Sequence, residues 1–139
     1  MCKVYKACHH NNPSTFYAVR IIAVESEQFL LKIREEIAVM SLCQSDNIIK
    51  HYFTYHYDQT LFMFIQYMDR GSLNQFILKY GKDIDDRVIA YIIKEILKGL
   101  KSIHRRRQVH RDLKSDNILI NKDGEIKIAD FGYALQLTK

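Results

Sequence analysis

The most restrictive feature of this 139-residue chain is a stripe of apolar residues in its second half. Ile89, Ile92, Ile93, Ile96, Leu97, Leu100 and Ile103 recur every three or four positions. That spacing places them on one face of an α-helix, and such a face has to be buried against a neighbour. Asp85 or Asp86 can cap the start by accepting from the free N–H groups of the first turn, so the expected helix runs from there to about Arg106. Gly99 interrupts the stripe and costs helix stability, which points to a neighbour packed too closely for a side chain. The cations of His104-Arg105-Arg106-Arg107 suit a helix C-terminus, where they complement the dipole.

The first half has a different texture. Residues 3–7 and 16–22 are rich in β-branched and aromatic side chains and read as strands. The run between them, His9 to Thr15, is turn chemistry. Residues 26–42 read as a helix through Phe29, Ile33, Ile37 and Met40. Residues 49–56 and 61–67 form a second strand pair around Asp58-Gln59-Thr60. His51 and His56 fall here without carboxylate or cysteine spacing, so they read as packing or edge residues rather than metal ligands. Ser72 is an N-cap for a short helix, Leu73 to Tyr80. Residues 117–121 and 125–129 read as a hairpin around Asn121-Lys122-Asp123-Gly124. Strands come first and helices follow, which is an α+β pattern with two lobes meeting near residue 68.

Composition narrows the class of protein. Apolar residues are 47% and charged residues 27%, an ordinary globular balance for one domain of this length. The longest uncharged apolar-rich stretch, Thr60 to Met68, is far short of the roughly 20 residues that span a bilayer. The N-terminus lacks the apolar core of a signal peptide. Three cysteines, Cys2, Cys8 and Cys43, an odd and sparse count, argue against a disulfide scaffold and fit a reducing, cytoplasmic compartment. The net charge of +5 suits an anionic ligand such as a nucleotide but is too diffuse to imply nucleic-acid binding. Oligomeric state is not readable. The five glycines all lie at or beyond Gly71, so no phosphate-cradling glycine loop is present near the start.

The chemistry concentrates after the long helix. His110-Arg111-Asp112-Leu113-Lys114-Ser115-Asp116-Asn117 lies between that helix and the hairpin, and Asp130-Phe131-Gly132 follows the hairpin's far strand. Order and context match the H-R-D-L-x-x-x-N loop and the D-F-G element of protein kinases. The chain thus resembles the catalytic domain of eukaryotic protein kinases, of serine/threonine type. The resemblance implies a two-lobed kinase-like fold, with residues 1–66 in the N-lobe and 67–139 in the hinge and first part of the C-lobe. It also implies ATP and Mg2+ as cofactors and a protein serine or threonine as acceptor.

The same resemblance assigns roles. Asp112 takes the place of the residue that accepts the substrate hydroxyl proton, and Lys114 that of the lysine near the transferred phosphate. A lysine two residues after the aspartate is typical of serine/threonine kinases. Asn117 and Asp130 take the places of the metal ligands. Arg111 matches the arginine that pairs with a phosphorylated activation loop. Tyr17-Ala18-Val19-Arg20 occupies the place of V-A-I-K, and Glu36, with Glu35 as its rival, that of the glutamate paired with the lysine. Ile65 fits the gatekeeper place. The Gln66 carbonyl and Met68 N–H would bond adenine, between Val4, Ala18 and Leu119. Met68 to Leu73, Lys114 to Asn117 and Gly124 to Asp130 look like the Ste-like group.

Three departures stand out. Arg20 replaces the lysine, and a forked guanidinium is not equivalent to an ammonium. Cys2 sits where the third glycine of the glycine loop belongs, so the first strand and loop are missing from the pattern. The chain ends seven residues past Gly132, without an A-P-E element, so the fold is expected to be incomplete and the Ile89–Ile103 stripe partly uncovered. The competing expectations are a pseudokinase-like module that binds nucleotide or a partner without turnover, and a non-functional gene fragment.

Overall fold

The computed structural model describes residues 3–43 and 45–137. The expectation on Cys2 therefore lies outside the described residues. In chain order the elements are β1 (Lys3–His9), β2 (Asn12–Ala23), α1 (Glu27–Leu42), β3 (His51–Tyr57), β4 (Thr60–Gln66), α2 (Leu73–Tyr80), α3 (Asp86–Arg105), β5 (Gln108–Val109), β6 (Ile118–Ile120), β7 (Ile126–Ile128) and β8 (Leu135–Gln136). Single 3-10 turns occupy Gly81–Asp83 and Ser115–Asn117.

Strands β1 to β4 form one antiparallel sheet in the order β1-β2-β4-β3. Alternation decides which face is inside: Leu61, Met63 and Ile65 on β4 are buried while the residues between them are not. Helix α1 is capped by Ser26, whose hydroxyl accepts from the Phe29 N–H at 3.1 Å. It buries Ile33, Val39 and Met40, together with Glu36.

The expected turn from His9 to Thr15 contracts to two residues. Asn12 pairs with His9 and Phe16 with Cys8, so Pro13, Ser14 and Thr15 extend β2 opposite a register shift. Proline lacks a ladder donor and is accommodated at such an irregularity.

Helix α3 starts where the stripe predicts. The Asp85 carboxylate accepts from the Arg87 N–H at 2.7 Å. Its buried line is Ile92, Gly99 and Ile103, with Ile96 and Leu100 partly covered. Ile89, Ile93 and Leu97 are 43%, 50% and 57% exposed. A Cβ on Gly99 would lie 2.8 Å from the Ile128 side chain and 3.0 Å from the Asn47 backbone oxygen, so the helix touches the chain behind it directly.

Two sets of bonds join the sheet half to the helical half. At the hinge, Arg70 N–H donates to Ile120 O at 3.1 Å and Ile120 N–H donates to Gly71 O at 2.9 Å. Behind it, Ile49 N–H donates to Ile128 O at 2.9 Å and Ile128 N–H donates to Asn47 O at 2.8 Å. The Asn47 side chain adds bonds to Glu95 at 2.8 Å and to Ile126 O at 3.1 Å. The β6–β7 hairpin is thereby held at both ends. Gly124 closes its turn with φ +79°, a conformation that favours glycine.

Candidate active site

The loop after α3 is built around one buried imidazole. His110 is almost fully buried, and its Nε2 lies 3.0 Å from the Ala129 carbonyl. Its Nδ1 accepts from the Asp112 N–H at 3.3 Å, which leaves Nε2 as the donor. Burial pushes the imidazole below its ordinary range, so it stays neutral and keeps that tautomer. Its ring meets Phe131 edge-on at 4.9 Å. One side chain thus fixes Asp112 relative to the segment carrying Asp130.

Arg111 and Asp130 both hold left-handed backbone, with φ +64° and +62°. Such conformations cost about 1–3 kcal/mol for side chains other than glycine and persist where surroundings enforce them. Here the Arg111 guanidinium donates to Tyr133 O at 2.6 Å, and the Gly132 N–H approaches Asp130 Oδ1 at 3.5 Å.

Asp112 Oδ2 is the centre of a polar network. It accepts from Lys114 Nζ at 2.8 Å and from Asn117 Nδ2 at 2.9 Å. The same Nδ2 also donates to the Asp112 backbone oxygen at 2.9 Å. The Lys114 bond, opposed by desolvation and aided by the Asn117 bond, holds the carboxyl below the usual aspartate range. Lys114 is raised in turn, chiefly by Asp112, with Asp130 and Asp116 contributing. Asn117 is buried, and its backbone carbonyl accepts from the Ala129 N–H at 2.8 Å. Asp112, Lys114 and Asn117 thus form one network, tied through Ala129 to the residue before Asp130. Both Nδ2 hydrogen bonds of Asn117 go to Asp112.

A second cluster comes from the sheet half. Arg20 on β2 forms an ion pair with Glu36 on α1, and its guanidinium also lies 3.8 Å from the Met63 sulfur. The Glu36 side chain is 2% exposed and that of Arg20 19%. Glu36 is thus the partner of Arg20, and Glu35 is exposed. The two clusters meet at Gly132: a Cβ there would lie 3.4 Å from Asp130 Oδ1 and 3.8 Å from Glu36 Oε2.

The residues expected around adenine are placed less tightly. Ala18 and Leu119 pack against the core from the two halves, and Met68 is buried at the hinge. Leu119 forms a bridge with Ser72. Gln66 ends β4 and donates its N–H to Lys50 O at 2.8 Å. Val4 lies across from Arg20 on β1 and is exposed.

Two ties escaped the sequence reading. Asn74 on α2 donates to Asp116 at 3.0 Å, and the Cys43 thiol lies 2.8 Å from Gln108 Oε1 in the interior. Both join positions far apart in sequence, and no local pattern announces them.

The protein kinase domain family matches the chain over residues 1–139. The chain belongs to that family. Within it, the serine/threonine-protein kinase dst1 of Dictyostelium discoideum is 36% identical over 135 residues. That match covers 97% of this kinase domain's chain and 18% of the relative's length. Among the described residues, no helix of the kinase chain is long and apolar enough to cross a membrane.

Proposed function

We propose that this kinase domain binds ATP with magnesium and serves transfer of the γ-phosphate to a serine or threonine hydroxyl of a protein. The observation that carries this reading is the Lys114–Asp112–Asn117 network lashed to the strand before Asp130. In the proposed reaction the substrate hydroxyl oxygen bonds to the γ-phosphorus as the bond to the β-γ bridging oxygen breaks. The hydroxyl proton passes to the Asp112 carboxylate, which its neighbours keep ionised. Lys114 places its cation beside the transferred group. Asn117 and Asp130 offer the hard oxygen donors that magnesium prefers, and the bound ion would neutralise charge on the phosphate oxygens. Adenine would lie between Val4, Ala18 and Leu119, bonded to the Gln66 carbonyl and the Met68 N–H. A cytoplasmic location fits the free thiols of Cys8 and Cys43.

Arg20 favours a second reading, nucleotide binding without turnover. Its fork is already engaged by Glu36, and a guanidinium places its donors differently from an ammonium. The experiment is nucleotide binding and phosphotransfer in a longer protein that contains this chain. Asp112→Asn is expected to retain nucleotide affinity and lose about 10²–10⁴-fold in transfer, the usual worth of a positioned acid–base group. Asp130→Asn is expected to weaken the magnesium-dependent part of binding. Unchanged transfer in Asp112→Asn would overturn the assignment. Nucleotide binding with no transfer, before and after Arg20→Lys, would establish the second reading.

A further inference from the structure

Strand β3, His51–Tyr57, is an edge of the four-stranded sheet, hydrogen-bonded to β4 and to no other described strand. Its sequence His-Tyr-Phe-Thr-Tyr-His-Tyr carries no fixed charge. Phe53, Tyr55 and Tyr57 are 49%, 58% and 67% exposed and join Phe62 and Phe64 in one aromatic face. Phe53 stacks on Phe64 with centroids 4.4 Å apart. An open strand edge of this kind is a template for another strand. The opposite edge, β1, is different: Lys3 and Lys6 interrupt it, and lysine is the residue that most often guards an edge.

We propose that β3 pairs with β3 of a second copy of this chain, antiparallel about a two-fold axis through Thr54. The sequence is self-complementary about that point. Antiparallel pairing centred there sets Thr54 against Thr54, Phe53 against Tyr55, Tyr52 against His56, and His51 against Tyr57. Just outside the strand it sets Lys50 against Asp58, both exposed, twice in the dimer. Thr–Thr, aromatic–aromatic and opposite-charge pairs are the cross-strand combinations that stabilise a sheet, each by a small amount. The bulge between His51 and Phe53 lies outside the three central pairs, so they retain regular geometry. Because one edge is self-matching and the other is guarded by lysines, the assembly closes at two copies and does not propagate. The product is one continuous sheet with the aromatic faces of both copies joined across the axis.

Sedimentation velocity of the 139-residue chain, from low micromolar to near-millimolar concentration, tests this, with circular dichroism recorded for each variant. The expected result is a monomer–dimer equilibrium. Lys50→Asp turns two attractive pairs into repulsive ones and is expected to weaken the dimer about 10-fold, while Lys50→Asp combined with Asp58→Lys restores it. A second measurement does not depend on Asp58, whose φ of +51° makes it a special position. In a Cys8→Ser background, Thr54→Cys places two thiols across the axis and is expected to cross-link under mild oxidation faster than Gln59→Cys. A monomer at every concentration overturns the proposal. So does open-ended association, a dimer indifferent to Lys50→Asp, or equal cross-linking at positions 54 and 59.

Discussion

Replacing Arg20 by alanine should be among the most damaging single changes available in the sheet half. The Glu36 side chain is 2% exposed, so Arg20→Ala leaves a buried carboxylate without its cation. Removing one partner of a buried ion pair costs about 3–5 kcal/mol. Arg20 is itself 19% exposed, so water already reaches the pair and the low end, about 3 kcal/mol, applies. Glu36→Ala leaves a guanidinium that can turn toward that water, and should cost about 1–2 kcal/mol. The double change removes both charges and should cost less than the sum of the two, with a coupling of about 2 kcal/mol. Arg20→Lys keeps a charge for Glu36 while losing the fork, and should cost about 1 kcal/mol. Urea unfolding of the four proteins and the parent measures all of these, and roughly 4 °C of Tm per kcal/mol is expected for a chain of this size. A loss under about 1 kcal/mol for Arg20→Ala, or additivity in the cycle, would refute the reasoning: the pair would then be an exposed one of little worth.

Three further outcomes are expected. Gly99→Ala should gain about 1 kcal/mol of helix propensity but lose about 1–3 by overpacking against Ile128 and the Asn47 backbone. The expected net is a loss of about 1 kcal/mol in urea unfolding, and stabilisation would show that the contact yields. Burial holds His51 and His110 below the ordinary imidazole range, so the unfolded chain binds more protons than the folded one. Stability should therefore rise with pH through about 6.5 and fall away below it, and equal unfolding midpoints at pH values on either side of that would contradict the burial argument. Finally, Asp112 should titrate below a free aspartate by carboxyl carbon NMR, chiefly because of Lys114, and Lys114→Met should move it upward. An unmoved titration would mean that Lys114 does not bond Asp112 in solution.

What the sequence disclosed was what is local. Helix α3 was legible because a cap and a 3.6-residue period lie within 20 residues of one another. The β6–β7 hairpin was legible because its turn requires the positive φ that Gly124 supplies. The loop from His110 to Asn117 was legible because its residue order matches the kinase catalytic loop within eight residues; the bonds from Lys114 and Asn117 to Asp112 were not. Tertiary choices were not legible. Nothing in Gln108–Val109 announces its pairing with Leu135–Gln136, and nothing marks Cys43 as the partner of Gln108. The turn chemistry of His9–Thr15 read as a loop because the neighbour that holds its second half extended, β1, is fixed only by the register shift at Cys8 and His9. At His110 the motif was visible but its burial was not, since that burial comes from Ala129 and Phe131, on a different segment.

The paired attachments of the β6–β7 hairpin have a mechanical consequence. The sheet half meets the helical half along the covalent run at Arg70–Gly71 and again where Asn47 and Ile49 clasp Ile128. The Cys43–Gln108, Asn47–Glu95 and Lys127–Asp46 bonds reinforce the second attachment, so a shift of one half against the other has to break several bonds at once. Arg20 and Glu36 ride on one body and Asp130 on the other, and they face each other beside Gly132. The spacing of these charges is therefore fixed by the same bonds that hold the two halves together.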